Sequence, residues 1–163
     1  MAIVSFRCPN PVIDRAAAEG DRKAMTQTPL PLSEITSYHA HIYFDPGESR
    51  LRAERLRTLI GERFVARLGS WHDKPVGPHM KPMYQVAFAV ELFPRFVPWL
   101  MLNRMGLSVL VHPNTRRPHD DHLVNALWLG EMLPLKGDML PVEVAESEIE
   151  ELPPPNTNPT LQP

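Results

Sequence analysis

Residues 38–44, YHAHIYF, alternate strictly between two kinds of side chain. Tyr38, Ala40, Ile42 and Phe44 fall on one side of an extended chain; His39, His41 and Tyr43 fall on the other. A helix would mix the two sets, so the pattern requires a strand with one face in a core and a second, polar face. The chain around it has a regular rhythm. Asp45-Pro46-Gly47 makes a turn, and residues 48–68 carry Leu51, Leu56, Leu59, Ile60, Phe64 and Leu68 at helical spacing, with Gly69 as the expected stop. Ser70 to Asp73 reads as a short strand, and MYQVAFAVEL, rich in β-formers, as a third. FPRFVPWLMLNRM reads as a second helix with Pro94 in its first turn, Pro98 at its true start or at a kink, and Gly106 at its end. LSVLVHP is a fourth strand. The order β-α-β-β-α-β is that of the ferredoxin-like fold, an α+β architecture with an antiparallel sheet and both helices on one face.

That topology gives the histidines a place to meet. All seven lie between residues 39 and 122. In the fourth strand Leu107, Val109 and Val111 share the helix face, which leaves His112 on the other with Ser108 and Leu110. The first and fourth strands are neighbours in such a sheet. His39, His41 and His112 therefore converge on the open face, and Gly77-Pro78 aims His79 toward them from the loop WHDKPVGPH. Two imidazoles in HAH stand about 7 Å apart along the strand, close enough to serve one ion. Imidazole is the commonest protein ligand for metals, so the expectation is a metal site. Asp45, Asp73, Glu91, Asp120, Asp121 and Glu131 are available carboxylates, but none shares the histidine face by parity; Asp73 could orient His72. Arg116 and Arg117 could grip a substrate carboxylate.

Composition limits the alternatives. A formal charge of -2 gives no electrostatic case for nucleic acid or an anionic membrane surface, and no apolar run is long enough to span a bilayer. The single cysteine, Cys8, excludes an internal disulfide and has no histidine fixed beside it to make it a nucleophile. With a poor match to a signal peptide at the N-terminus, the expectation is a cytoplasmic protein. Many of the 19 prolines lie in the tails. Residues 1–34 read as an irregular arm with one short helix over DRAAAEGDRK, 35–140 as the folded domain, and 141–163, with the acidic run ESEIEE, as a tail that is mobile or draped on the surface.

SYHAHIYF, LGSWHDKPVGPHMKPMYQVAF, LSVLVHPNT and DDHLVNALWLGEMLPL together resemble the small DOPA 4,5-dioxygenase family of fungi and bacteria, over about residues 36–136. The chain departs from the family pattern at Arg116-Arg117, where the family has Gly-Asp, and keeps every histidine of the pattern; His119 lies in a variable stretch. The resemblance implies extradiol cleavage of a catechol by O2 at non-haem Fe(II); histidine ligands do not distinguish Fe from Zn, so Zn is possible as a substitute. L-DOPA would open to a seco-DOPA that cyclises to betalamic acid or a related yellow pigment. It also implies roles: His39, His41, His79 and His112 as the pool of metal ligands, His72 as acid/base, and His122 as a catalytic or substrate-binding helper. Tyr43, Trp71, Tyr84 and Arg116 are the candidates for holding substrate. A homodimer is expected, since small ferredoxin-like domains often pair. Two other readings stand beside this one: a zinc or other metal-dependent enzyme on the same scaffold, and a non-enzymatic binding module that dimerises through its open face.

Overall fold

The computed structural model describes residues 28–163, and residues 32–163 form one compact unit. Cys8 and the short helix expected in the arm lie outside the described residues. The elements are β1 (Ser37–Tyr43), α1 (Arg50–Arg63), β2 (Arg67–His72), β3 (Met83–Phe88), α2 (Phe93–Asn103), β4 (Val109–Asn114), α3 (Pro118–Leu123) and β5 (Leu127–Leu129). They build one antiparallel sheet in the order β2-β3-β1-β4-β5. The first four strands and two helices make the expected ferredoxin-like unit. The edge strand β5 and the short α3 are additions that carry no periodic signal in sequence.

The parity of β1 decides what faces what. Tyr38, Ala40, Ile42 and Phe44 join a core with Ala53, Leu56 and Ile60 of α1 and Phe96, Val97 and Leu100 of α2. Leu107, Val109 and Val111 enter from β4, and Tyr84, Val86 and Phe88 from β3. Leu51, expected on the apolar stripe of α1, is exposed, and Ala53 takes its place in the buried row. Gly69 does not stop α1, which ends at Arg63; it lies in β2, where the register shifts between Leu68 and Trp71. A Cβ there would meet the Gln85 carbonyl oxygen at 3.2 Å, so the residue answers a close strand approach. Pro98 neither starts nor excludes α2: the helix begins at Phe93, with Pro94 in its first turn and Pro98 inside. Met105 and Gly106 then reverse the chain at positive φ, 54° and 76°.

The face opposite the helices is not bare. Tyr43, Met83, Leu110 and Leu133 form a second apolar cluster there, closed by Ala126, Trp128 and Leu135. The chain after β4 folds back over the sheet and covers its second side. Residues 141–163 continue across the same domain and reach its far edge. Asn156 brackets Leu68, its Oδ1 accepting the Leu68 N–H at 2.8 Å and its Nδ2 donating to the Leu68 carbonyl at 3.0 Å. Thr157 Oγ1 accepts from Ala66 N at 2.8 Å, and Thr160 N and Leu161 N both donate to Glu62 O at 2.9 Å. The tail thus occupies the hydrogen-bonding groups of an edge strand that would otherwise be free. Among the described residues no helix is long and apolar enough to cross a membrane.

Replacing Asn156 by alanine removes both bonds to Leu68. The expected result is a loss of about 1–2 kcal/mol of stability and faster hydrogen exchange at the Leu68 amide. Exchange at Leu68 as slow as in the parent would show that the tail does not hold this edge.

Candidate metal site

Register brings the histidines together. His39 pairs directly with His112 across β1 and β4, and His41 lies two residues along on the same face. His41 Nε2 and His112 Nε2 stand 3.0 Å apart. His79 arrives from the loop before β3, on a two-residue turn with Gly77 at φ 55°. Val76 and His79 exchange both backbone bonds across that turn, and Lys136 N anchors it by donating to Pro78 O at 2.9 Å. His122 comes from α3, its ring centroid 3.8 Å from that of His112 and 5.9 Å from that of His79. Two sets of nitrogens therefore close on themselves: His39, His41 and His112, and His41, His79 and His122, each within 4.8 Å. His41 belongs to both.

The neighbours of these rings decide which nitrogens are free. His112 Nδ1 donates to the Pro113 carbonyl at 2.8 Å, and His122 Nδ1 to the Pro118 carbonyl at 2.8 Å. A carbonyl only accepts, so in the neutral rings both Nε2 atoms keep a lone pair. The Tyr43 hydroxyl meets His79 Nδ1 at 2.7 Å. Gln85 Nε2 donates to His39 Nε2 at 3.1 Å, and Glu150 Oε1 lies 3.7 Å from that same nitrogen. His41 Nδ1 is buried and has no hydrogen-bond partner among the described residues. An unpaired buried nitrogen is costly unless something binds it.

Burial keeps the cluster neutral. Desolvation pushes His39 and His79 down to about 4, and His41 and His112 well below the ordinary imidazole value. It lowers His122 as well, and the rings disfavour one another's charge. Crowded neutral imidazoles, with the Nε2 lone pairs of His112 and His122 turned inward and an orphaned nitrogen on His41, are a donor set for a divalent metal. Any of His39, His41, His79, His112 and His122 could hold it.

The structure separates the remaining expected site residues. His72, opposite Met83, lies on the histidine side but outside both triads. Tyr43 is also on that side, buried between His79 and a stacked Trp128. Trp71 and Tyr84 are on the wrong face. They pair with each other across β2 and β3, one residue out of step with the histidine side. Trp71 packs on Phe44 and Tyr84 beneath the guanidinium of Arg50, and the Tyr84 hydroxyl donates to Ala53 O at 3.2 Å. Neither reaches the cluster. Arg116 is tied to Glu143 at 2.9 Å and donates to Val144 O. Asp73 pairs with Arg50 rather than with His72. Asp121 accepts from Thr115 N and Oγ1, both at 2.8 Å, and holds the turn into α3. Gln85 and Glu150 were not foreseen. Parity along MYQVAF would have placed Gln85 opposite His41. For Glu150, in the acidic run, the sequence holds no comparable signal.

The Dopa 4,5-dioxygenase family model matches residues 38–139, the stretch that carries every histidine of both triads. The chain belongs to this family. The resemblance drawn from its motifs is thereby borne out. A DOPA 4,5-dioxygenase of Amanita muscaria is 35% identical over 122 residues, which cover 70% of this chain and 54% of the relative. An uncharacterized 21.2 kDa protein of Botryotinia fuckeliana is 42% identical over 90 residues, 50% of this chain and 48% of that one. The chain spans about half the length of these two relatives. A crystallised candidate dioxygenase from Nostoc punctiforme shares 51% identity with a TM-score of 0.66, covering 68% of this chain and 96% of its own.

The depressed imidazoles set the pH dependence of the metal-free protein. Unfolded histidines take up protons near 6.5, while folded His39 and His79 resist until about 4. The unfolded state therefore binds more protons between those values, and stability rises with pH through that window. Chelator-treated protein is expected to lose on the order of 3 kcal/mol for each of these two groups between pH 7 and pH 4. Chemical denaturation at a series of pH values checks this, and a divalent metal added at pH 7 should raise the midpoint by binding the folded cluster alone. A flat pH profile together with no metal-induced stabilisation would refute it.

Proposed function

We propose that this chain is a non-haem iron extradiol dioxygenase that opens the ring of L-DOPA or a related catechol. The observation that carries the reading is the buried pair of histidine triads sharing His41, in a member of the Dopa 4,5-dioxygenase family. Bound Fe(II) would supply the redox chemistry that lets singlet catechol react with triplet oxygen. In the net reaction the carbon–carbon bond beside the diol breaks, and both oxygen atoms enter the product as parts of a new carboxyl and a new aldehyde. With L-DOPA, the amine then condenses with that aldehyde and loses water, giving a betalamic acid-type pigment.

The protein's own groups have separate tasks in this proposal. The carbonyls of Pro113 and Pro118 fix the ring orientation of His112 and His122, as second partners do for metal-binding imidazoles. Tyr43 does the same for His79. The apolar cluster of Met83, Leu110 and Leu133 keeps water away and strengthens every charge interaction within. His72, partly exposed beside the cluster, is the proposed group to take a catechol proton, and His122, expected as a second catalytic histidine, is also placed to serve as a metal donor with His41 and His79.

An all-imidazole donor set suits zinc as well as iron, and the zinc reading stands as the second. Anaerobically purified protein loaded with Fe(II) should consume oxygen on addition of L-DOPA and form a yellow product, whereas zinc-loaded protein should not. Absence of oxygen uptake by the iron-loaded protein sinks the dioxygenase reading. Replacing His79 by alanine should lower turnover by at least a hundredfold and reduce bound metal, since it removes both a donor and the Tyr43 contact. Unchanged turnover and metal content in that variant would remove His79 from the site.

A further inference from the structure

The tail contributes a charge to the site. Residues 114–122 and 141–150 enclose a cleft lined by Asn114, Thr115, His122, Ile149 and Glu150. His122 opens it onto the histidine cluster, and Glu150 places a carboxylate oxygen 3.7 Å from His39 on the same side. The acidic groups of the cleft are not equivalent. Asp121 is committed to Thr115, and Glu148 accepts from the Ala145 N–H. Glu150 has no such bond among the described residues, and the nitrogen nearest to it already accepts from Gln85, leaving it no proton to offer. No lysine or arginine lines the cleft among the described residues. Arg116, which could have bound a substrate carboxylate, is held by Glu143 on a neighbouring surface.

We infer that Glu150 is a specificity residue that receives the cationic end of an amine-bearing catechol, while the diol enters the histidine cluster. The inference rests on the dioxygenase reading for the place of the diol. It adds a substrate class: catechols with a side-chain ammonium are favoured over those carrying only a carboxylate. An ammonium at Glu150 makes a charge-assisted hydrogen bond at a half-exposed mouth, whereas a lone carboxylate meets like charge and no cation. Glu150 lies in the tail, beyond residues 38–139 that the family model matches.

The test measures binding and turnover separately. Dopamine, 4-methylcatechol and 3,4-dihydroxyphenylacetate are titrated anaerobically into the Fe(II)-loaded full chain by calorimetry, and each is then assayed for oxygen uptake. Dopamine should bind about fivefold or more tightly than 4-methylcatechol, with dihydroxyphenylacetate the weakest. E150Q should erase the advantage of dopamine over 4-methylcatechol and improve dihydroxyphenylacetate relative to it. An equal loss on all three ligands would make Glu150 a general part of the site and overturn the inference. So would a wild-type affinity that is indifferent to side-chain charge. Ordered binding without oxygen uptake would instead refute the dioxygenase reading and leave the charge preference standing.

Discussion

Everything in this molecule hangs on the two-sidedness of β1. One set of its side chains is buried under α1 and α2, and that burial fixes the strand against rotation or slippage. A slip of one residue would put His39 and His41 in the apolar core and Ile42 among imidazoles. The hydrophobic side thus supplies the free energy that holds the polar side in register, and the direct pairing of His39 with His112 follows from it. Residues that never approach the histidines, such as Leu56, Ile60 and Phe96, are in this sense what aligns them.

The second layer over the sheet changes the chemistry of that polar side. Histidines on a bare sheet face would titrate near their ordinary value. Here Leu110, Leu133 and Trp128 lie over the same face, and His41 and His112 are among the most strongly depressed groups. The cost of keeping several imidazoles neutral and His41 Nδ1 unpaired is borne by the apolar packing around them. A stable fold that tolerates such crowding is the usual signature of a site kept for its chemistry.

The sequence made some of this legible and hid the rest for physical reasons. Strand parity is a property of consecutive residues, so the face of His39, His41 and His112 could be read without any knowledge of the fold. The entry of His79 was readable from Gly77 and Pro78, whose conformations are restricted locally. His122 was harder to place among the triads because α3 is only six residues long and has no periodic stripe. Glu150 depends on the path of a proline-rich segment across the domain, which no local pattern encodes. Tyr84 and Trp71 went astray for a different reason. Their aromatic character suggested ring stacking, while their position one step out of phase had already assigned them to the core. Gly69 looked like a helix stop, but its task is to let two strands approach.

The tail that brackets Leu68 has a consequence for assembly. An open sheet has two lateral borders, each a template for another strand. One is occupied here by Asn156 and Thr157, and the other ends in the three residues of β5. Among the described residues, neither border offers a long run of free backbone groups. The tail's bonds to Ala66 and Leu68 disfavour joining two copies by continuing one sheet into the next through that end of β2. The same closure protects against runaway strand addition in a domain whose sheet carries so much apolar surface.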